Sequence, residues 1–214
     1  MMEDMAARIH PTAIIEDGVT IGPGTAVWDT VHIRSGAKVG RDCIIGEKTY
    51  LGPDAIVGDR CKLNAFVYVC TGVTIEEGVM VAANVTFTND RFPRATTPEL
   101  DALRPSDLEE ETLPTLVRAG ATIGAGATIG SDLVIGRFAM VGMGSVVLDE
   151  VEVGAETIIG AGSVVTPGTK IPGGVLALGA PCRVKRPLTP GELESLRTSA
   201  DRYVRLAREH RVLK

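Results

Sequence analysis

The chain has 214 residues and a formal net charge of −5, with 44% hydrophobic but only 4% aromatic residues and 25 glycines. That size suits one domain with a full core, or one domain plus an appendage, and the acidic balance argues against nucleic acid or an anionic membrane as the main partner. No apolar run is long enough to span a bilayer, MMEDMAARIH has no apolar signal-peptide stretch, and Cys43, Cys61, Cys70 and Cys182 form no CxxC pair, so a reduced cytoplasmic protein is expected.

Residues 1–8 read as a short extension. From Ile9 a beat of six begins: Ile9, Ile15, Ile21, Val27, Ile33, Val39, Ile45, Leu51, Val57, Leu63, Val69, Ile75, Val81 and Phe87. It resumes at Val117 and runs through Ile123, Ile129, Ile135, Val141, Val147, Val153, Ile159 and Val165 to Ile171. These 24 hexapeptides have a large apolar residue at the first place. The second place is often Gly, as at Gly22, Gly40, Gly46, Gly52 and Gly58, and the fifth is small or β-branched, as at Thr25, Ala37, Cys43 and Cys61. A helix needs period 3.6 and a simple strand period two. Period six reads as one short strand plus a corner, with Gly relieving backbone crowding. Three such strands close a triangle, so the repeats predict an all-β parallel β-helix of about eight coils around one aliphatic stack. Cys43 and Cys61 fall on the small inward place and read as core.

Two segments break the beat. Residues 88–116 read as an inserted loop, because a long excursion inside a compact repeat is usually functional. Residues 188–214 read as a C-terminal helix. Thr189-Pro190-Gly191-Glu192 is a capping box with Pro at the first helical position, and Leu193, Leu196, Ala200, Tyr203, Val204 and Ala207 form one apolar face.

Over residues 9–182 this pattern resembles the hexapeptide-repeat acyltransferases. The resemblance implies a left-handed β-helix, a rare departure from right-handed crossovers. VWDTVHIRSGAKVG, GDRCKL and VTIEEGVMVAANVTFTNDRFPR are similar to stretches of the nucleotide-sugar N-acetyltransferases, whereas TPGELESLRTSADRYVRLA resembles the helix of γ-carbonic anhydrase-like proteins. A γ-class zinc site needs three histidines converging on the metal. His10, His32 and His210 fall in the first hexapeptide, the fourth and the tail, so no metal is expected.

The resemblance implies acetyl-CoA as acyl donor, a homotrimer, and an active site between subunits. Asn89 matches the Asn of the family's FTN…PR segment and is expected to orient the amine or the thioester carbonyl; a turn role is the alternative. Arg94 matches the Arg of that segment, for substrate phosphate or carboxylate or to hold the loop. Asn84 is a further substrate contact. His32 is a candidate proton acceptor or substrate contact, against a plain corner histidine, and Trp28 a candidate stacking residue. For coenzyme A, Gly142, Gly144, Gly160, Ala161 and Gly162 offer backbone N–H and C=O groups to the pantetheine amides. Arg183, Lys185 and Arg186 in GAPCRVKRP are candidates for its phosphates. Two polar pieces of the sugar-enzyme pattern are changed, to Asn64-Ala65-Phe66 and Gly46-Glu47-Lys48. The expectation is an acetyl-CoA-dependent N-acetyltransferase acting on a nucleotide-linked amino sugar. Its rivals are an acyltransferase for another small metabolite and a metal-free γ-carbonic anhydrase-like structural protein.

Overall fold

A computed structural model of the protein describes residues 6–90, 93–103 and 114–198. Each hexapeptide supplies one short strand made of its sixth and first places, such as Ile14–Ile15, Thr20–Ile21 and Ala26–Val27. Successive strands turn onto three faces. Each strand pairs in parallel with the one eighteen residues on, as in Arg8↔Ala26, Ile14↔His32 and Thr20↔Lys38. Eight full coils of a left-handed β-helix result, and Val175–Leu178 begins a ninth. Coils are spaced by about 4.8 Å, the separation of hydrogen-bonded strands. Coil two runs from Ala26 to Val39, coil five from Met80 to Val117 with the insertion inside it, and coil eight from Ile158 to Ile171.

The first-place residues form the core, with Ile33, Ile45, Leu51, Leu63, Ile75, Phe87, Ile123 and Ile129 fully buried. The fifth place is small because it also points inward, and its polar members bond to the next coil. Thr25 Oγ1 donates to the Gly40 carbonyl at 2.7 Å, Thr49 Oγ1 to Asn64 at 3.0 Å, and the Cys43 and Cys61 thiols to Gly58 and Glu76 at 3.1 and 3.0 Å. Both cysteines are therefore core residues with satisfied thiols.

Two constraints meet at each corner. The second place is Gly where coils approach closely: a Cβ on Gly142 would lie 2.4 Å from the Ala161 nitrogen. The left-handed turn falls instead on the fourth place, and many residue types occupy it, including Lys48 (φ 56°), Phe66 (φ 60°) and Asn84 (φ 58°).

The repeat resumes at Thr115–Val117, so the last two residues of the expected insertion are already strand, with Thr115 pairing with Val73. Within the insertion, Thr96 bridges Leu103, and Thr97 Oγ1 donates to Asp101 at 2.7 Å. After coil eight, Arg183–Pro187 folds back antiparallel on Val175–Leu178. A helix over 190–198 follows, opened by the expected capping box: Glu192 N–H donates to Thr189 Oγ1 at 3.3 Å and Thr189 N–H to Glu192 Oε2 at 2.8 Å. Leu196 is buried, and Arg197 reaches Glu156 at 2.7 Å, so the helix runs back along the stack. Ala200, Tyr203, Val204, Ala207 and His210 lie outside the described residues. No helix among the described residues is long and apolar enough to cross a membrane.

Candidate active site

The corner between the first and second faces, with the adjoining second face, gathers most of the expected site residues. It divides into three zones along the stack.

The early zone spans coils one to four. Because a coil is eighteen residues, outward side chains of the second face stack as the column Ile14, His32, Tyr50 and Tyr68. His32 Nε2 lies 2.7 Å from Glu16 Oε1. Arg34 Nε sits 2.6 Å from the same oxygen, close enough for charge pairing but off the line of a hydrogen bond. Ser35 N–H donates to Glu16 Oε2 at 2.9 Å. Arg34, then the Ser35 N–H and His32, hold the Glu16 carboxyl down to about 2. Arg34 Nη1 donates to the Tyr50 hydroxyl at 2.9 Å. Tyr50 meets His32 edge-on at 5.6 Å and stacks flat on Tyr68 at 5.0 Å. Trp28 stands on the corner of coil two, 52% exposed.

A second clasp of the same design separates structure from function in this cluster. At another corner Glu76 accepts from Arg118 Nη1 and from Ala119 N–H, both at 2.8 Å. The carboxylate–arginine–amide arrangement is thus a coil-to-coil staple that the fold uses elsewhere. What distinguishes the Glu16 clasp is a histidine and a tyrosine built onto it. Sequence reasoning named His32 but missed Glu16, Arg34, Tyr50 and Tyr68; counting by eighteen would have aligned them.

The middle zone is coil five. Asn84 occupies an exposed left-handed corner, a conformation that Asn tolerates well, so the backbone alone accounts for its identity. Asn89 follows Phe87 at the root of the insertion, half-buried, with Nδ2 donating to the Thr71 carbonyl at 3.4 Å. That bond uses one of two amide N–H donors, and the other has no partner among the described residues. Arg94 is exposed on the insertion. His32 and Asn89 are not brought together: three coils, about 14 Å at the strand spacing, separate them along the stack. Beside Asn89, burial pushes the Cys70 thiol up to about 12, which leaves it protonated and unsuited to nucleophilic work.

The late zone spans coils six to eight, where the corner carries Gly126, Gly144 and Gly162 at the left-handed place. A Cβ on any of the three would meet nothing within 4 Å, so the corner is a ledge bare at these places, although Met143 beside Gly144 is exposed. The expectation that glycine N–H groups here serve pantetheine amides is corrected. Gly142, Gly144, Gly160 and Gly162 already donate to Ile159, Ala125, Ala177 and Met143 at 2.8–2.9 Å, because the coil-to-coil ladder uses them. Gly142 and Gly160 are also explained by packing, against the Ala161 backbone and the Leu178 side chain. Ala161 lies between the packed Gly160 and the ledge position Gly162 of coil eight. The terminal hairpin closes beside it: Gly179 N–H donates to Ser163 Oγ at 3.1 Å and Cys182 N–H to the Val164 carbonyl at 2.7 Å. Arg183 and Lys185 are therefore exposed near the end of the ledge. Arg186 is not free for phosphate, since both its Nη atoms bind Glu192 at 2.8 Å.

His10 bonds to Thr12 Oγ1 at 2.8 Å, and no cluster of three or more His, Cys, Asp or Glu residues suited to a metal occurs among the described residues.

Comparison with known proteins places this architecture. The profile of the bacterial transferase hexapeptide family (six repeats) matches residues 18–53, 54–89 and 132–167, together half of the chain. A 35-residue stretch is 51% identical to an acyl-[acyl-carrier-protein]–UDP-N-acetylglucosamine O-acyltransferase of Brucella ovis, covering 16% of this chain and 13% of that relative's length. A Bacillus cereus structure provisionally assigned as an acetyltransferase is 24% identical, with 97% of this chain and 93% of that chain covered and a TM-score of 0.55. The UDP-N-acetylglucosamine acyltransferase of Campylobacter jejuni is 16% identical over 88% of this chain and 81% of that one, with a TM-score of 0.61. At these identities the two structures share the fold.

Proposed function

The chain belongs to the bacterial transferase hexapeptide family, and from that premise we propose an acetyl-CoA-dependent N-acetyltransferase acting on the amino group of a nucleotide-linked amino sugar. It works as a homotrimer in the cytoplasm, with the active site between subunits. The observation that carries this reading is the layout of one corner. A ledge bare at its left-handed places runs through Gly162, Gly144 and Gly126 to Asn84, with cations at its far end and Met143 exposed beside Gly144. Asn89 lies in the same coil as Asn84, across the second face from it. Three coil spacings, about 14 Å, leave room for an extended, flexible arm to lie along it. In this account Arg183 and Lys185 meet the phosphates of coenzyme A, and the thioester reaches coil five.

There the amine nitrogen attacks the thioester carbonyl, the C–N bond forms, and the C–S bond breaks to release thiolate. The proton lost by nitrogen ends on the thiolate or on water. The second amide N–H of Asn89 suits the oxyanion, where a positioned donor acts most strongly. Holding both partners on one edge supplies the proximity term. Assembly about an axis parallel to the stack preserves height, so His32 stays three coils from Asn89 whichever subunit supplies it. His32 is accordingly assigned to the acceptor rather than to the transferring atoms, with Trp28, Asn84 and Arg94 as further acceptor contacts.

The Brucella ovis match favours a second reading, in which an acyl group passes to a sugar hydroxyl from acyl carrier protein. A panel of amino-sugar nucleotides incubated with acetyl-CoA, followed by free thiol release, tests the proposal. Release that depends on the amino group supports it. Release only with a hydroxyl acceptor and a carrier-protein donor supports the second reading, and no coenzyme A binding together with no release from either donor makes the chain a scaffold.

A further inference from the structure

Aromatic residues are scarce in this chain, with one Trp, three Tyr and four Phe. Four of the eight, Trp28, Tyr50, Phe66 and Tyr68, stand together on coils two to four, along the same corner and face. Trp28, Phe66 and Tyr68 are 52%, 48% and 45% exposed.

Phe66 is the sharpest case. It holds a left-handed backbone, φ 60°, which is strained for a bulky side chain. Phe138 has a similar φ, 54°, but its ring covers Gly120, where a Cβ would lie 2.3 Å from it. Packing therefore accounts for Phe138. Both rings meet a cation, Arg137 at 4.9 Å for Phe138 and Lys48 Nζ at 5.0 Å for Phe66, but Phe66 covers no glycine and is 48% exposed. Beside it the Tyr50 hydroxyl accepts from Arg34, so the Tyr50 proton is left to donate outward.

We infer that this strip binds the nucleoside diphosphate end of the acceptor, with the rings of Trp28, Phe66 and Tyr68 taking the flat base and Lys48, His32 and the Tyr50 hydroxyl facing the phosphates. The inference rests on the function proposed above and deepens it by naming the subsite. Asp29 and Glu47 lie on the same corner, and Glu16 is paired with Arg34. Stacking on aromatic faces is tolerant of base identity, so the strip recognises a nucleotide as a class. The acceptor would then enter over coils two to four and the donor over coils six to eight, leaving the amine and the thioester to meet at coil five.

The test is titration with UDP and with dTDP, followed by fluorescence of Trp28, the single tryptophan, in the wild type, Phe66→Gly and Tyr68→Ser. Both variants are expected to weaken nucleotide binding at least about fivefold and to leave coenzyme A binding unchanged. Phe66→Gly is expected not to lower the thermal midpoint, since Gly accepts φ 60° without strain. Unchanged nucleotide affinity in both variants overturns the inference. If Phe66→Gly alters only the oligomeric mass in light scattering, the strip is an interface between copies and the inference fails. Should nucleotide binding behave as expected while no acetyl transfer occurs with any acceptor, the proposed reaction fails and this subsite stands.

Discussion

Coils four and seven turn the same corner with the same backbone and opposite surfaces. Phe66 has φ 60° and Gly144 has φ 64°. One carries an exposed ring against Lys48, the other opens onto empty space. The corner conformation is a requirement of the fold, met at nearly every turn from Gly18 onward, but the side chain placed on it is free to vary. Glycine is the residue that relieves strain there. Its use in coils six to eight is what the fold asks for, and an aromatic in coil four is what the fold resists. A residue kept against backbone preference points to function, and it does so more strongly than a residue that backbone preference explains. By that standard Phe66 is the better site marker, and Gly142, Gly160 and Asn84 are weaker ones than their sequence patterns suggest.

The comparison can be broken at its centre first. Asn89→Ala is expected to lower kcat about 100- to 1000-fold, the usual cost of one oxyanion donor, while acetyl-CoA and nucleotide affinities hold in calorimetry. A loss confined to KM would move Asn89 from chemistry to binding. Next in size, Gly144→Leu puts a side chain on the ledge. The KM for acetyl-CoA is expected to rise roughly tenfold or more, equivalent to about 1.4 kcal/mol, with the acceptor KM unchanged. An unaltered KM would mean that the donor lies elsewhere.

The backbone half of the comparison is a stability measurement. Phe66→Gly should raise the thermal midpoint by about 2–4 °C, because removing left-handed strain is worth about 1 kcal/mol. Gly144→Leu should lower it by a similar amount for the same reason. A drop in Phe66→Gly would show that the ring packs structurally.

The smallest expected effect separates the charged clasp from the chemistry. Glu16 and Glu192 are held down to about 2 from 4.5, by Arg34 and Arg186 first. A depressed carboxylate contributes stability above its unfolded value and loses it as pH falls through the folded one. The wild type should therefore lose thermal midpoint between pH 4.5 and about 2. The Glu16→Gln, Glu192→Gln double variant should lose less across that window. Equal losses would mean that neither pairing is linked to folding.

Much of the fold was legible because geometry repeats chemistry. A triangular coil must put a large apolar residue inward at every sixth position, so Ile9 to Ile171 announce it. Thr25, Cys43 and Cys61 announce the small inward place beside it. The left-handed fourth place was partly legible, since Gly fills it at Gly18, Gly24, Gly36, Gly72 and Gly78 and Asp at Asp42 and Asp54, while Thr30, Lys48, Phe66 and Glu150 blur the mark. The site was less legible for a related reason. Glu16 and His32 look remote until the coil length of eighteen is applied, after which they are neighbours. The N–H groups of Gly142, Gly144, Gly160 and Gly162 looked available because sequence lists glycines without saying where their hydrogen bonds go. Asn89 was found from its neighbours in FTN…PR, and the structure adds its donor to Thr71 and its distance from His32.

The central claim is that acceptor and donor occupy opposite ends of one corner and meet at coil five. The most direct test is steady-state kinetics with both substrates varied in Phe66→Gly and Gly144→Leu. The account predicts that Phe66→Gly raises only the KM for the nucleotide-sugar acceptor and Gly144→Leu only that for acetyl-CoA. If both variants raise the KM of the same substrate, or each affects both substrates alike, the two ends are not separate sites and the account is wrong.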